Sequence, residues 1–538
     1  MSVNDQLAEI HHIETERLKL QAQLNTEKSQ EERNKLGQFA TSPKLAMDIM
    51  GVSKGLFESS EGIRFLDPAF GTGAFYSALL KCFSHLHVNW AQAYEIDPHY
   101  GNNVLKLWND TELELRITDF TKSNPPSSQR DKTNFLICNP PYSRHHHLSS
   151  DEKLRLQKLA NQITGIKVSQ LSGLYCYFML ISDSWLADKG LACWLVPSEF
   201  MDVNYGQHLK EYLTTHVTLL RVHRFSPKEL QFGDALVSSS VIWFRKTKPS
   251  TSYEVDFTYG GTITEPKKRC VLSIDSLRDM RKWNHLSDVA RTSNANTIGK
   301  SEGAKLSDFF QVKRGLVTGA NKFFILSPAQ ISEYNLPTEF LTPVLPSPRY
   351  LLSNEIQADD AENPILKQAL FLLNCSLPEH IIQRNYPSLW EYLQSGTRMG
   401  IHGRYLCRHR SPWYLQEKRE PCLFLCTYMG RESVRNPKPF RFILNHSKAI
   451  AANGYLILYP TSYLERAFRT DPGLIHAAWE ALNAIPSQDL VSEARVYGDG
   501  LYKLEPKELA NVSVSDVFST RLGLEKQPTA QQIEFSLR

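Results

Sequence analysis

The sequence lacks the features of a membrane-bound, secreted or disulfide-built protein. No apolar run reaches the roughly 18 residues that a membrane span needs, and residues 1–21 are too charged for a secretory signal. The nine cysteines include no Cys-x-x-Cys pair, which argues against a zinc ribbon or a disulfide framework. We therefore expect buried free thiols in a reducing cytoplasm.

The sequence also lacks a cluster of metal ligands. His145, His146 and His147 are consecutive, and the side chains of adjacent residues rarely converge on one ion. We interpret this stretch as a polar loop and expect no bound metal.

A strong charge of one sign is absent as well. The net charge is +4 with a pI near 8.4, so a polyanionic partner is permitted but needs a local basic surface. With 41% apolar and 22% charged residues, the composition is typical of a soluble globular protein. A chain of 538 residues is too long for one ordinary core and predicts two or three domains.

Four segments differ in their residue pattern. Residues 1–34 are charged with a helical apolar rhythm and predict an N-terminal helical arm. Within 35–246, apolar strands alternate with helical stretches, which predicts an α/β fold with helices on both faces of a parallel sheet. Residues 247–300 are polar and predict a connecting segment, and 301–538 are aromatic and dense in turn signals. The predicted strands are "IRFLD", "WAQAYEID", "LRIT", "NFLICN", "LACWLVP", "TLLRVHRF" and "VSSSVIWF".

The first predicted strand ends in "LDPAFGTGAF", a turn that opens a helix. Gly71 and Gly73 allow a sharp backbone turn, but Tyr76 stands where a dinucleotide fingerprint would have its third glycine. The Lys-Ser/Thr of a phosphate-binding loop is also missing. Asp67 before the glycines therefore favours a ligand with an ammonium group over a pyrophosphate.

Two further carboxylates end the next two strands. Glu95 suits the hydroxyls of a ribose, and Asp119 could accept from an exocyclic amine while Phe120 covers a purine. Each alone could be a helix cap or an ordinary corner. Because ligands of open parallel sheets bind at the carboxyl ends of strands, three such residues together indicate S-adenosylmethionine.

The tripeptide Asn-Pro-Pro occurs twice. Asn139 follows the apolar "NFLIC", so its side chain should emerge at the same sheet edge as the carboxylates. Asn124 follows the polar "DFTKS" and reads as a surface turn. Because proline fixes φ and removes N–H donors, Asn139 begins a stiff corner with exposed carbonyl acceptors.

These motifs together resemble a known family. "NPPY" at 139–142, "LDPAFGTGAF" and "KLGQFATSP" at 35–43 are similar to the motifs of amino-group DNA methyltransferases, with Ser42 where the family usually has its first proline. Their order resembles the gamma class, typified by Taq-type N6-adenine methyltransferases of restriction-modification or related defence systems. "VPSEFM", "QFGDALVSSSVIWF", "VKRGLVTGANKFFIL" and "RVYGDGLYKLEPKEL" extend the resemblance along most of the chain.

The resemblance implies a fold, a cofactor and residue roles. The fold is the Rossmann-like mixed sheet of S-adenosylmethionine-dependent methyltransferases, with a C-terminal α+β target-recognition domain over 301–538. The implied cofactor-binding residues are Thr41, Asp67, Ala69, Gly71 and Gly73 for the methionine end, Glu95 for the ribose, Ile96, Asp119 and Phe120 for the adenine, and Asn139. The implied catalytic residues are Asn139, Pro140, Pro141, Tyr142 and Phe232. Phe232 could instead be simple core at a strand end.

The implied substrate is a flipped-out adenine of double-stranded DNA, because a base inside a duplex cannot reach such a pocket. Basic and aromatic residues are dense between 398 and 448, as phosphate clamps and base readers require. They are Arg398, Arg404, Arg408, Arg410, Lys418, Arg419, Arg431, Arg435, Lys438, Arg441 and Lys448, with Tyr405, Trp413, Tyr414, Tyr428 and Phe440. For any single one of them, a solvated surface position is the safer interpretation.

Other functions remain open at this stage. "NPPY" also occurs in methyltransferases of a protein glutamine amide, and related tetrads occur in RNA methyltransferases. The complete cofactor and catalytic motifs argue against a catalytically silent DNA-recognition protein, and the lack of an evident Pro-Asp…Asp/Glu-x-Lys cluster argues against a fused nuclease. A Ser-Pro-Pro-Trp tetrad would suit cytosine N4 better. We expect a stand-alone prokaryotic, cytoplasmic methyltransferase, paired with a separate restriction endonuclease or defence subunits. The recognition sequence and the oligomeric state are not readable from the sequence.

Overall fold

The computed structural model describes residues 3–58, 61–83, 88–143, 148–227, 229, 231–232, 238–280, 282–283, 304–432, 438–497 and 500–514. His145, His146 and His147, predicted to lie in a polar loop, fall outside these ranges. The chain divides into two compact units. The first comprises 1–297 with 496–500, and the second comprises 298–495 with 501–538.

A nine-stranded mixed sheet organises the first unit. Its strands are β1 (Ile63–Asp67), β2 (Val88–Glu95), β3 (Leu113–Ile117), β4 (Thr133–Cys138), β5 (Leu186–Pro197), β6 (Thr218–Arg224), β7 (Ser239–Arg245), β8 (Glu254–Gly261) and β9 (Pro266–Ser273). They are ordered β3-β2-β1-β4-β5-β7-β6-β8-β9. The first five pair in parallel, and β7 then joins β5 and β6 antiparallel. All seven predicted strands are therefore present, and the Rossmann-like mixed sheet is confirmed.

Helices cover both faces of this sheet. They are α1 (Val3–Glu27), α2 (Gln30–Leu36), α3 (Pro43–Leu56), α4 (Ala74–Cys82), α5 (Pro98–Val104), α6 (Ser150–Thr164), α7 (Leu174–Ile181), α8 (Gln207–Thr215) and α9 (Ile274–Asp279). Successive strand residues point to opposite faces, so Phe65 of β1 packs in a core with α3 and α4, whereas Leu66 packs in another with α6, α7 and α8. Two apolar cores thus fix the central parallel strands and the position of their carboxyl ends.

The two segments that flank residues 35–246 contain regular secondary structure. The expected connecting segment, 247–300, contains β8, β9 and α9, and β8 pairs in parallel with β6. Its strand "EVDFTYGG" alternates buried and more exposed residues, so it lacks the apolar run that marked the other strands. The expected N-terminal helical arm, 1–34, contains α1 and most of α2, and α1 packs against α4 and α5 and buries Leu24.

The second unit combines three small sheets with short helices. Its strands are β10 (Phe310–Arg314), β11 (Ile325–Leu326), β12 (Leu341–Pro343), β13 (Glu355–Ile356), β14 (Phe371–Leu373), β15 (Phe424–Thr427), β16 (Met429–Arg431), β17 (Phe442–Asn445), β18 (Tyr455–Pro460) and β20 (Leu501–Lys503). The short strand β19 (Arg495–Tyr497) begins in this unit and ends in the segment 496–500 of the first. The largest sheet has the order β10-β18-β15-β17-β13.

The helices of the second unit begin with α10 (Leu306–Phe309), α11 (Asn321–Phe324), α12 (Pro328–Glu333), α13 (Glu379–Asn385), α14 (Pro387–Arg398) and α15 (Tyr405–Arg408). Those that follow are α16 (Ser462–Thr470), α17 (Gly473–Ala484), α18 (Ser487–Glu493) and α19 (Pro506–Ala510). Apolar side chains of β15, β17 and β18 pack with α16 and α17 in one of three cores.

The cysteines are free thiols, and seven of the nine are buried. Across the described ranges, no group of three or more histidine, cysteine or acidic side chains is arranged to hold a metal ion. Every helix in the described part of the chain is too short or too polar to span a bilayer.

Candidate active site

A cavity of about 220 Å³ opens at the carboxyl ends of the parallel strands in the first unit. Such an edge is where ligands bind in open α/β sheets. Eight of the residues predicted from the sequence line it: Ala69, Gly71, Glu95, Ile96, Asp119, Phe120, Asn139 and Pro141. Thr41, Asp67, Gly73, Pro140, Tyr142 and Phe232 are not among its lining residues.

The glycine turn after β1 forms one wall of the cavity. Gly71 and Gly73 have φ of 58° and 88°, in the left-handed region that other residues avoid. A Cβ on Gly73 would also lie 2.5 Å from the Phe70 ring. Both glycines are therefore required by the turn itself.

Asp67 stabilises this turn through a hydrogen bond to its backbone. It is 1% exposed, and its Oδ1 accepts from the backbone N–H of Ala69 at 3.1 Å. Burial raises the pKa of Asp67 to about 8. Asp67 itself does not line the cavity, whereas Ala69 and Gly71 of the loop that follows it do.

Glu95 is the buried carboxylate that does line the cavity. Its two oxygens accept from the backbone N–H groups of Gly71 and Asp97, each at 2.9 Å. Burial raises the pKa of Glu95 to about 7, although these two hydrogen bonds oppose the shift. Each oxygen retains a lone pair for a hydroxyl of a ligand.

The end of β3 places Asp119 and Phe120 on another wall. Asp119 Oδ1 accepts from Thr121 N at 2.9 Å and from Thr121 Oγ1 at 2.7 Å, capping a short 3₁₀ turn. The Phe120 ring is 2% exposed and packs against Tyr94, Phe178 and Trp185, so it is mainly a core residue.

Ile96, by contrast, is 61% exposed although it lines the cavity. A large apolar side chain left open beside a concave surface is suited to packing against a ligand.

Asn139 directly follows β4, and within the described ranges its side-chain amide is held through Nδ2 but not through Oδ1. Its Nδ2 donates to the carbonyl of Phe39 at 2.9 Å and to Thr41 Oγ1 at 3.1 Å. Its Oδ1 is buried and has no hydrogen-bond partner among the described residues. Asn124 is exposed in a loop after the 3₁₀ turn. The two Asn-Pro-Pro copies thus occupy different environments.

The segment before α3 fastens the Asn139 loop. Tyr142 N donates to the carbonyl of Gly37 at 3.0 Å, and Gly37 has φ of 70°. A Cβ on Gly37 would lie 2.5 Å from the backbone nitrogens of Tyr142 and Ser143. Only glycine allows this approach, which explains why the "GQFATSP" stretch accompanies the loop.

Three aromatic rings cluster behind the loop. Phe39, Tyr142 and Phe232 have ring centroids 5.5–5.6 Å apart, and Tyr142 and Phe232 meet edge to face. The Tyr142 hydroxyl donates to the carbonyl of Leu195 at 3.2 Å. Tyr142 and Phe232, which the resemblance implies to be catalytic, contact each other here and are at most 8% exposed.

Several lining residues were not predicted. Phe39 stands inside the quoted "KLGQFATSP" motif, so the motif itself could have identified it. Phe178 lies in the apolar helix α7, where nothing distinguishes it from other core residues. Gln21 and Asn25 come from α1, and a polar helix gives no sequence signal of where it docks.

The basic and aromatic residues between 398 and 448 fall into two groups, those that contact the rest of the protein and those that are exposed. Arg410 and Arg441 donate to backbone carbonyls, while Tyr414, Tyr428 and Phe440 are buried. An exposed group remains around α15, consisting of Arg398, His402, Arg404, Tyr405, Arg408 and His409. Arg435 lies outside the described residues.

Comparisons with known proteins point to restriction-modification enzymes. Residues 12–231 match the Eco57I restriction-modification methylase profile, and 281–536 match that of the Type II methyltransferase M.Eco57I, C-terminal domain. The Type II methyltransferase M.AccI of Acinetobacter calcoaceticus is 26% identical over 518 residues, 94% of this chain and 89% of its own. M.XamI of Xanthomonas campestris pv. amaranthicola is 26% identical over 461 residues, 84% and 80% of the two chains.

A solved structure shares the overall fold. The Type IIL restriction-modification enzyme MmeI, solved in complex with DNA, aligns with a TM-score of 0.50 and 12% identity over 97% of this chain and 77% of that one. The expected cofactor for this family and fold is S-adenosylmethionine. The two profiles follow each other along most of the sequence, and both parts of the chain are similar to restriction-modification methylases of the Eco57I type.

Proposed function

We propose that this S-adenosylmethionine-dependent DNA methyltransferase acts on the N6 amino group of adenine in double-stranded DNA, with the target base flipped out. DNA methylation itself is supported by the similarity to the Eco57I methylase profile and to the Type II methyltransferases. The choice of adenine N6 rests on the residues of the Asn139 loop.

One observation carries the proposal: the buried Asn139 Oδ1 has no hydrogen-bond partner within the described residues. A buried polar atom without a partner costs roughly 1–3 kcal/mol, so it is retained where a ligand supplies the missing bond. The Nδ2 contacts with Phe39 and Thr41 orient the amide so that Oδ1 is the free acceptor. An acceptor in this place fits an exocyclic amino group.

The reaction requires a more nucleophilic nitrogen. The lone pair of an adenine amino group is delocalised into the ring, which makes the amine a poor nucleophile. Asn139 Oδ1 and the Pro140 carbonyl can each accept a hydrogen bond from one N–H group of this amine. Two such hydrogen bonds favour a pyramidal nitrogen with a localised lone pair. Both acceptors are fixed before the reaction, so little reorganisation is needed.

The cavity fits the cofactor that supplies the electrophilic methyl group. Glu95 would accept from ribose hydroxyls, and Ile96 would pack against the purine. Asp119 would accept from the adenine amine through its less engaged Oδ2. Asp67 would support the methionine end through its hydrogen bond to the N–H of Ala69 in the lining loop, and Thr41 would act mainly by holding Asn139.

The target base would enter beside the aromatic cluster. A base of duplex DNA must rotate out of the helix to reach Asn139. Tyr142 and Phe232 contact each other without a base, so we propose that the rings separate on base entry and that Tyr142 then provides a stacking face. The tight Gly37 contact would hold the Tyr142 backbone in place during this change.

The second unit would supply most of the DNA affinity. The exposed group around α15 combines arginines with the exposed ring of Tyr405, and Arg408 lies 5.4 Å from that ring. Such side chains neutralise phosphates and contact bases. A separate cognate restriction endonuclease or defence subunit is the proposed partner, by analogy with the Type II methyltransferases it resembles.

The proposal is tested by identifying the methylated nucleoside. The purified protein is incubated with S-adenosylmethionine and plasmid DNA that lacks prior methylation, and the DNA is digested and analysed by mass spectrometry. We expect N6-methyladenine. N4-methylcytosine would keep the loop but refute the substrate, and methylation only of RNA or of a protein glutamine would refute the DNA assignment.

A further inference from the structure

We propose that α1 forms part of the cofactor site and that the Asn25 amide donates a hydrogen bond to a ribose hydroxyl of S-adenosylmethionine. This inference rests on the proposed function, because it takes that cofactor as the ligand of the cavity. It gives a binding role to a helix that lies before the "GQFATSP" stretch.

The first support is position. Gln21 and Asn25, one helical turn apart on α1, line the same cavity as Glu95 and Gly71. α1 therefore forms a wall of the cavity.

The second support is that buried hydrogen bonds attach this part of α1 to the glycine turn after β1. Arg17 is 1% exposed, pairs with Glu14, and donates to Thr72 Oγ1 at 3.0 Å within the glycine turn. Thr72 Oγ1 in turn donates to Gln21 Oε1 at 2.5 Å. A buried ion pair that reaches the cofactor turn holds α1 in one register, so its cavity residues are fixed in place.

The third support is the hydrogen bonding of Asn25. Its Oδ1 accepts from Gln21 Nε2 at 2.9 Å and from Tyr100 Oη at 3.0 Å, which uses both lone pairs. Its Nδ2 has no partner among the residues that the structure describes. The amide is thus oriented with its acceptor engaged, which leaves two N–H donors available for a ligand.

The location identifies the ribose as the group that Asn25 contacts. Tyr100 belongs to α5, which begins immediately after Asp97, and Asp97 N donates to Glu95. Lys28 of the α1–α2 connection pairs with the same Asp97. Asn25 is therefore tied to the end of β2, where Glu95 accepts. Because a hydroxyl both donates and accepts, a ribose can donate to Glu95 while it accepts from Asn25.

The test compares two ligands on the full-length protein by calorimetry: S-adenosylhomocysteine and its analogue lacking both ribose hydroxyls. Asn25→Ala should weaken binding of the first by about threefold to tenfold, as expected for one lost hydrogen bond. Affinity for the second should stay the same. Asn25→Leu, which keeps a side chain of similar size and is a good helix former, should behave alike. Gln23→Ala, whose exposed side chain donates to Glu27 at 3.0 Å, is the matched control.

A purely structural role gives a different pattern. If Asn25 only positions Tyr100, both ligands should weaken equally, and Asn25→Ala should add nothing in a Tyr100→Phe background. That result would overturn the inference, as would unchanged affinity for S-adenosylhomocysteine in both Asn25 variants. Failure of the unmodified protein to bind S-adenosylhomocysteine would instead refute the cofactor itself.

Discussion

Replacing Glu95 with glutamine removes a negative charge from the cavity without changing the size of the side chain. Hydrogen bonds to charged groups contribute roughly 1.5–3 kcal/mol, and about 1.4 kcal/mol corresponds to a tenfold change in Kd. Because Glu95 is the buried carboxylate at the ribose position, Glu95→Gln should weaken S-adenosylmethionine binding by about tenfold to a hundredfold. Titration calorimetry measures this directly.

The raised pKa of Glu95 adds a second readout. With a pKa of about 7, the carboxyl is about half protonated at pH 7 in the free protein. The ribose donors and the positive charges of the cofactor favour the ionised form, so binding should release about half a proton from Glu95 at pH 7. Calorimetry in phosphate and in Tris, which differ in ionisation enthalpy, counts the released protons. Glu95→Gln should release about half a proton fewer.

The same shift predicts how stability depends on pH. The pKa of Glu95 rises from 4.5 in the unfolded chain to about 7 in the folded protein, so the folded state binds more protons between these values. The free energy of unfolding of the ligand-free protein should therefore fall as pH rises from about 4.5 to 7, and Glu95→Gln should flatten this slope. The variant also deprives Gly71 or Asp97 of an acceptor, which thermal unfolding reports separately. Equal affinity and equal proton release in both proteins would refute the role of Glu95.

Three further predictions concern the turn, the first helix and the basic surface. Gly37→Ala, which places a Cβ against the Tyr142 backbone, should lower the melting temperature and methyl transfer, whereas Gly51→Ala in the open part of α3 should do neither. Arg17→Ala removes the closest ion-pair partner of the buried Glu14, whose other ion pair, with Lys81, is 4.0 Å long, and should cost about 3–5 kcal/mol in denaturant unfolding. A loss as small as that of the exposed Lys19→Ala would contradict the buried pair. Arg404→Ala should make the slope of log DNA affinity against log salt concentration shallower by about 0.9. Lys19→Ala should leave this slope unchanged. An unchanged slope for Arg404→Ala would show that Arg404 contacts no phosphate.

The central strands were predictable because they are buried on both faces. "IRFLD" and "NFLIC" read as continuous apolar runs, and β1 and β4 occupy those positions. β9 is the edge strand of the sheet and β8 is its neighbour, and β9 has several exposed side chains. Polar residues such as Lys267 and Lys268 then remove the apolar signal, and the segment was taken for a connector.

The candidate site was predictable where it depends on strand ends and not where it depends on packing. Glu95 ends a strand and Asn139 follows one, and both line one cavity. Asp67 also ends a strand, yet it is buried, accepts from the N–H of Ala69 and does not line the cavity. The contribution of α1 to the cavity was unreadable because the residues that reach the cavity and its glycine turn, including Arg17 and Asn25, are polar, and polar residues ordinarily indicate a solvated face.

Asn139 and Asn124 provide the most direct test of the account, because the same tripeptide occurs in two environments. Removing one preorganised acceptor of this kind typically reduces turnover by about 10²–10³. The measurement is single-turnover transfer of a tritiated methyl group to duplex DNA, with cofactor binding checked by calorimetry. Asn139→Ala should lose activity to that extent while cofactor binding largely survives, and the exposed Asn124→Ala should retain nearly full activity. Equal losses in the two variants, or a larger loss for Asn124→Ala, would contradict the assignment of Asn139 as the acceptor for the target amine.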